Sequence, residues 1–244
     1  MNSGKKLYIS ITAAVIAVFY AWFVILDFSR FGSLDFTYDI PPGGLLKRID
    51  VLLAASIAWV AGADGLSMKD GGRMKLAFVF ACLGEAAFVF RVRGLGLAMF
   101  AVCQTMLAAR NSRSFRRGFG RASGRQKKKL LAAGIIVFLV FAGLPISAAA
   151  LTGFNSAVAA VCFYWSILNI SLLAGTAGYI LGLLPERNAV LACAGVICFY
   201  CCDVLVGLDA ALEPGLPWLL ANSFIWVFYI PALVLLAFSC YRYD

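Results

Sequence analysis

Two acidic residues, Glu85 and Asp203, are each the only acid in a long apolar stretch of this 244-residue chain. The stretches run over 74–90 and 188–208, and the second has about the length that a helix needs to cross a bilayer. A carboxyl group is costly at that depth, so it normally faces a bundle interior or a wet cavity and marks function. A protonated acid beside a carboxylate is the pair that glycoside hydrolysis uses, and these two acids are the first candidates for such chemistry.

Four further polar side chains in the apolar segments, Gln104, Asn169, Tyr200 and Tyr229, are candidates for contacting a substrate. Tyr200 and Asp203 share one helical face by their i, i+3 spacing. Each candidate also has a purely structural interpretation. Amides inside a membrane commonly join helices by hydrogen bonds, and tyrosines commonly pack with a satisfied hydroxyl group.

The composition excludes several classes of protein. The chain is 63% hydrophobic and 14% charged, whereas a soluble domain has about 45–50% and about 25%, so a polytopic membrane protein is expected. It contains no histidine, which excludes histidine metal sites and Ser-His or Cys-His catalysis. The eight cysteines lie in apolar segments, which argues against a secreted disulfide framework.

Three of the cysteines, Cys198, Cys201 and Cys202, share a helix face. A thiolate metal site is one interpretation of this cluster, and small buried hydrophobic residues are the favoured one. We therefore expect no metal and no cofactor.

The hydropathy pattern predicts an all-α transmembrane bundle of about eight helices in a single domain, divisible into two four-helix halves. Proline, glycine and charged residues separate the apolar runs. The predicted helices cover 7–26, 45–62, 74–90, 95–109, 130–151, 155–184, 188–208 and 216–240.

Charge predicts the orientation of these helices. The segment 110–129 holds nine basic residues and no acid, and we interpret it as a solvated cytoplasmic loop near anionic lipid head groups. The loops assigned to the cytoplasm hold 16 of the 21 basic residues, which places both termini of a multi-pass cell-membrane protein in the cytoplasm. The net charge of +9 is explained in this way, so no nucleic-acid partner is expected. The oligomeric state is left open.

Short motifs in a fixed order resemble the YhhN-like lysoplasmalogenase family of eight-helix membrane proteins. They are Gly84-Glu85, then Gly96, Phe100 and Gln104, then Cys202-Asp203, and finally Tyr229 followed by Leu233. In this chain Glu85, Gln104, Cys202 and Leu233 stand where the family pattern has Asp, His, Ser and Gln. Asp203 is the polar site residue that is retained.

The resemblance implies hydrolysis of the vinyl ether bond of a lysoplasmalogen to a fatty aldehyde and a glycerophospho-alcohol. Glu85 and Asp203 would then be the acid/base pair, and a lysophospholipid-like substrate would enter laterally from the bilayer. The alternative is a non-catalytic or proton-coupled membrane protein that binds a lipid or a small amphiphile through the same acids. The retained carboxyl groups favour the hydrolase, and the replaced histidine and glutamine favour the alternative.

Overall fold

Nine α-helices and no strand occur in the part of the chain that the structure, a computed structural model, describes. It covers residues 2–33, 42–152 and 156–243, with the side chains of 2–31, 42–139 and 158–243. The helices are α1 Ser3–Ser33, α2 Gly43–Ala63, α3 Met68–Val89, α4 Arg93–Asn111, α5 Phe115–Arg121, α6 Gly124–Thr152, α7 Ser156–Ile180, α8 Glu186–Ala211 and α9 Leu216–Phe238. The all-α class is therefore confirmed.

A helix lies over each of the eight predicted segments, although several ends differ. The first helix does not end at Leu26 but continues to Ser33, so that Asp27 and Arg30 are helical rather than part of a loop. The third begins at Met68, where the backbone amide of Asp70 donates to Ser67 Oγ at 3.2 Å, an N-cap in the polar linker. The sequence between the first two predicted helices also contains Asp35 and Asp39, which lie outside the described residues.

The predicted loop over 110–129 is mostly helical. Arg110 is fully buried at the end of α4, and the short helix α5 occupies its centre. Helix α6 begins with a capping box, in which Ser123 N donates to Gln126 Oε1 at 2.9 Å and Gln126 N donates to Ser123 Oγ at 3.3 Å. In the segment 110–129 the basic residues favour a helix and the glycines favour turns. The number of charged residues alone therefore does not distinguish a helix from a loop.

The described helices form two compact units, residues 1–75 with 194–244 and residues 76–193. These units do not coincide with the two halves expected from the sequence, because α3 and α8 each contribute to both. In the first unit, α1, α2 and α9 pack against one another. Gly71 on α3 approaches the Gly62 carbonyl on α2 so closely that a Cβ at position 71 would overlap that oxygen.

In the second unit, α7 packs against α4 and α6. Two glycines of the sequence motifs accept aromatic rings here. A Cβ at Gly84 would lie 2.7 Å from the Phe100 ring, and one at Gly96 would lie 2.9 Å from the Phe88 ring. The two rings lie 5.9 Å apart. The motif positions 84, 96 and 100 therefore join α3 to α4 by packing.

Four helices in the described part of the chain are long and apolar enough to cross a membrane by length and composition. They cover Ser3–Phe31, Val158–Ile180, Glu186–Ala211 and Leu216–Phe238. Helix α7 ends at a glycine turn, where Gly182 has φ +61° and Leu183 N donates to Gly178 O at 2.9 Å, the arrangement of a Schellman-type cap. The predicted count of eight spans stays a prediction.

Candidate functional site

Asp203 lies on α8 in the first unit, together with two of the candidate tyrosines. Asp203 and Tyr200 are half-buried, whereas Tyr229 on α9 is buried. The Tyr229 ring makes edge contacts with Phe199, at 5.5 Å between centroids, and with Trp226, at 5.6 Å. Phe199 precedes Tyr200 in the sequence, so this aromatic contact fixes α9 against the part of α8 that carries the carboxyl group.

Glu85 lies on α3 in the second unit and is half-buried. Gly84 beside it lets the Phe100 ring lie directly against α3. The packing of α3 around Glu85 therefore requires glycine at position 84.

The two amide candidates, Gln104 on α4 and Asn169 on α7, also belong to the second unit and are buried. Asn169 Nδ2 donates to the Trp165 carbonyl oxygen at 2.7 Å, one turn earlier in the same helix. This bond satisfies part of the Asn169 amide within its own helix. The six predicted site residues thus divide equally between the units, and the meeting of Glu85 with Asp203 stays a prediction.

A buried ion pair that the sequence interpretation missed lies in the first unit. Lys47 Nζ, on α2, is 3.0 Å from both Asp27 Oδ1 and Asp27 Oδ2 on α1. Both side chains are almost completely buried. The ammonium also lies over the Trp226 ring, at 5.2 Å from the centroid, and over the Phe23 ring, at 5.8 Å. Aromatic faces attract a cation most strongly where water is excluded. The Lys47 ammonium is therefore held by two aromatic rings and by the Asp27 carboxylate.

Arg30 extends this network to α9. Its guanidinium lies 3.7 Å from Asp27 Oδ1 and donates to Asn222 Oδ1 at 3.0 Å and to Ser223 Oγ at 3.1 Å. Asn222 in turn donates to Asp209 Oδ1 on α8 at 3.1 Å. The two cations of this network are thus held by the Asp27 carboxylate on α1 and by an amide and a hydroxyl group on α9, and Asp209 on α8 supports the amide. Such satisfaction is required of charges that water cannot reach.

Asp50, one turn beyond Lys47 on α2, differs from every other member of this region. It is fully buried, and neither of its carboxyl oxygens has a hydrogen-bond partner among the described residues. Native proteins contain few such groups, and each calls for a physical explanation. Asp27, Arg30, Lys47 and Asp50 therefore form a second candidate site, which we call the α1–α2 charge cluster.

The sequence held a signal for this cluster that charge counting did not use. Asp27 and Arg30 are spaced i, i+3, and so are Lys47 and Asp50, which is the spacing of residues on one helical face. Extending the first helix by one turn would have placed the first pair on a helix. The predicted helices 7–26 and 45–62 leave the first pair outside a helix and place the second pair in the first turns of one, so neither pair was a candidate for a site inside the bundle.

The cysteines, the acidic residues and the surface cavities show where a metal ion or a small molecule could bind. The described residues contain no group of three or more Cys, Asp or Glu side chains that could hold a metal ion, and all eight cysteines are free thiols. Two surface cavities of about 460 and 560 Å³ lie in the second unit, around α5 and the start of α6. None of the six predicted site residues lines either cavity.

The helical fold and the four helices that are long and apolar enough to cross a membrane, counted over the described residues, indicate an α-helical membrane protein. Comparison with protein-family models, with curated proteins and with solved structures finds no match to this chain.

Proposed function

We propose that this protein is an integral-membrane lipid hydrolase of the lysoplasmalogenase type. It would cleave the vinyl ether bond of a lysoplasmalogen and release a fatty aldehyde and a glycerophospho-alcohol. The observation that carries the proposal is the position of the two acids. Glu85 and Asp203 are half-buried, and each lies 17 residues after the first residue of its helix, Met68 or Glu186. Asp203 is eight residues from the end of α8, which is long and apolar enough to cross a membrane, and Glu85 is four residues from the end of α3. Ionisable side chains within transmembrane helices are rare and commonly mark function.

The chemistry of vinyl ether hydrolysis matches what two carboxyl groups supply. The protonated acid delivers a proton to the β-carbon of the double bond, which leaves an oxocarbenium ion. The carboxylate stabilises this cation and accepts a proton from the attacking water, giving a hemiacetal. As the C–O bond to the glycerol oxygen breaks, the carboxyl group that took the proton from water gives it to that oxygen, and the hemiacetal hydroxyl group returns its own proton to the first acid, which releases the aldehyde. One water is consumed and no other reactant is needed.

The proposed roles of the other residues follow from their placement. Tyr200 shares a face of α8 with Asp203 and presents a hydroxyl group to the same side. Tyr229 closes the aromatic contact with Phe199 and orients this part of α8. Gln104 stands at the family's histidine position, where an amide orients water or substrate but cannot act as a base near neutral pH.

Aldehyde release from lysoplasmalogen by the purified protein tests the proposal. Glu85→Gln and Asp203→Asn should each abolish turnover, because an amide of nearly equal volume cannot donate or accept the proton. The double variant should lose no more than either single variant, because residues that act as a unit are non-additive. Aldehyde release by Glu85→Gln at the parent rate would overturn the acid/base assignment.

A second function, proton-coupled binding of a lipid or small amphiphile without hydrolysis, is favoured by the α1–α2 charge cluster. Ionisable side chains inside transmembrane bundles commonly form proton relays, and Asp50 has no hydrogen-bond partner among the described residues. Vesicles that contain the protein and an enclosed pH indicator distinguish the two functions. Carrier function predicts proton movement on adding lysophospholipid, loss of that movement in Asp50→Asn, and no aldehyde. The hydrolase predicts aldehyde whether or not protons cross.

A further inference from the structure

An apolar groove with a basic mouth lies between α5 and the first half of α6. Its volume is about 560 Å³. It is lined by Phe119, Lys127, Leu130, Leu131, Gly134, Ile135 and Phe138. Lys127 is the charged residue among them, and the apolar side chains follow α6 away from it.

The walls of this groove are fixed by contacts within the second unit. Gly118 on α5 lies against the Leu183 side chain with no room for a Cβ. At the start of α6, Gln126 Nε2 donates to the Ile180 carbonyl oxygen, at the end of α7, at 2.9 Å. Both ends of the short connection between α5 and α6 are therefore held to the end of α7 and the turn that follows it. The groove is a feature of packed helices rather than of a loop.

The charged residues of α5 and of the start of α6 have one sign. Lys127 Nζ lies 5.3 Å from the centroid of the Phe119 ring, which is itself stacked on Phe115 at 5.8 Å. Three exposed arginines, Arg116, Arg117 and Arg121, lie on the same short helix. No acid occurs between positions 110 and 129. An anion is thus attracted to this end of the groove, whereas the rest of the groove offers only apolar surface.

We propose that this groove binds one anionic phospholipid of the bilayer, with its phosphate beside Lys127 and an acyl chain along Leu131, Ile135 and Phe138. Its dimensions fit such an occupant. Lys127 and Phe138 are 11 residues apart on α6, or about 16 Å at 1.5 Å per residue, and one leaflet of hydrocarbon is about 15 Å thick. The site is independent of the proposed hydrolase and uses none of its residues.

Lipid retention measured by native mass spectrometry tests this site on the full chain in neutral detergent. The protein is incubated with phosphatidylglycerol or with phosphatidylcholine of identical acyl chains. We expect preferential retention of one phosphatidylglycerol, and no binding of glycerol phosphate, which has the anion without the chains. Equal retention of the two lipids would contradict an anionic site, and equal binding of glycerol phosphate would identify a site for free phosphate instead.

Two variants distinguish lipid binding in the groove from a general attraction of anionic lipid to a basic protein. Lys127→Gln should weaken phosphatidylglycerol retention about fivefold, the effect of one basic residue at a membrane surface, whereas Lys6→Gln, also exposed, should leave it unchanged. Gly134→Leu should weaken it about tenfold by excluding roughly two methylene groups of the chain. A Cβ at position 134 meets nothing within 4 Å, so this variant should fold.

Gly72→Leu is the matched control for Gly134→Leu. Gly72 is also helical, and a Cβ there also meets nothing within 4 Å, but it lies outside the groove. Retention by Gly134→Leu equal to that of Gly72→Leu would overturn the acyl-chain site. An equal loss in Lys6→Gln and Lys127→Gln would reduce the effect to overall charge.

Discussion

The Lys47 ammonium lies 3.0 Å from both carboxylate oxygens of Asp27, and this ion pair joins α2 to α1 in the interior of the first unit. Neither side chain is more than marginally exposed. A buried ion pair contributes little net stability over an apolar pair, but removing one partner leaves a charge without compensation. The α1–α2 charge cluster is therefore sensitive to single substitutions, and its members should respond differently.

Lys47→Gln should destabilise the protein strongly, because it leaves the Asp27 carboxylate buried. The usual loss is about 3–5 kcal/mol, and the lower end applies here because the Arg30 guanidinium remains 3.7 Å from Asp27. Unfolding in detergent, followed by circular dichroism as denaturant is added, measures the change. Lys6→Gln, which removes an exposed charge, should change the free energy of unfolding by less than about 0.5 kcal/mol. Equal effects of the two variants would contradict the buried pair.

The two aspartates of the α1–α2 charge cluster, Asp27 and Asp50, should respond differently to the same change. Asp27→Asn removes the partner of Lys47 and should cost about 3 kcal/mol. Asp50→Asn removes a carboxyl group that has no hydrogen-bond partner among the described residues, so the loss should stay below about 1 kcal/mol, or stability should rise. The same unfolding measurement compares them. A loss in Asp50→Asn as large as that in Asp27→Asn would show that Asp50 has an essential partner.

The adjacent glycines Gly71 and Gly72 on α3 provide a second matched pair. Gly71→Ala should destabilise the protein by about 1–3 kcal/mol, because its Cβ would overlap the Gly62 carbonyl oxygen and force α2 and α3 apart. Gly72→Ala meets nothing within 4 Å and should stabilise the helix by up to about 1 kcal/mol. The melting temperatures of the two variants, measured in one detergent, test whether α2 and α3 approach closely at Gly71. The same sign for both would contradict the close approach.

The link between Lys5 and Asp64 predicts a specific pH dependence. The Lys5 ammonium donates to Asp64 Oδ2 at 2.7 Å, and this hydrogen bond holds the pKa of the Asp64 carboxyl below its ordinary value of 3.8. A carboxylate whose pKa is lowered by folding stabilises the folded state above its unfolded pKa. That contribution disappears as the pH falls through the lowered value.

The melting temperature of the parent should therefore exceed that of Asp64→Asn by a small, constant amount from pH 7 to pH 5. The difference should shrink as the pH falls below 3.8. The effect is small because both side chains are more than one-third exposed and water screens the pair. A difference that grows on acidification would have the wrong sign for this ion pair.

Gln104→His tests the position at which the sequence resembles the histidine of the lysoplasmalogenase motif. Under the proposed hydrolase, Gln104→Ala should lower turnover about 10- to 100-fold, whereas Gln104→His should raise aldehyde release, because imidazole transfers protons near neutral pH. Thr105→His adds the same group to the exposed face of α4 and serves as the control. A rise in Thr105→His equal to that in Gln104→His would assign the gain to free imidazole rather than to the position.

The membrane class and the existence of the helices follow from local properties of the sequence. Apolar runs of about 20 residues, interrupted by glycine, proline and charge, locate eight of the nine helices found in the described ranges, without knowledge of their neighbours. Local caps explain the differences at the ends, as with Ser67 before α3 and the Ser123–Gln126 box before α6. Helix α5 was missed because its arginines and glycines give opposite signals.

The α1–α2 charge cluster was decided by tertiary structure. Asp27 and Lys47 are 20 residues apart, and Arg30 and Asn222 are 192 apart, so no local pattern pairs them. In a soluble protein the polar face of each helix would have shown which side is buried. In a membrane, lipid accepts apolar residues on the outer face as well, and the sequence carries no such contrast. Only the packing of α1, α2 and α9 shows that Asp27 meets Lys47 and that Arg30 reaches Asn222.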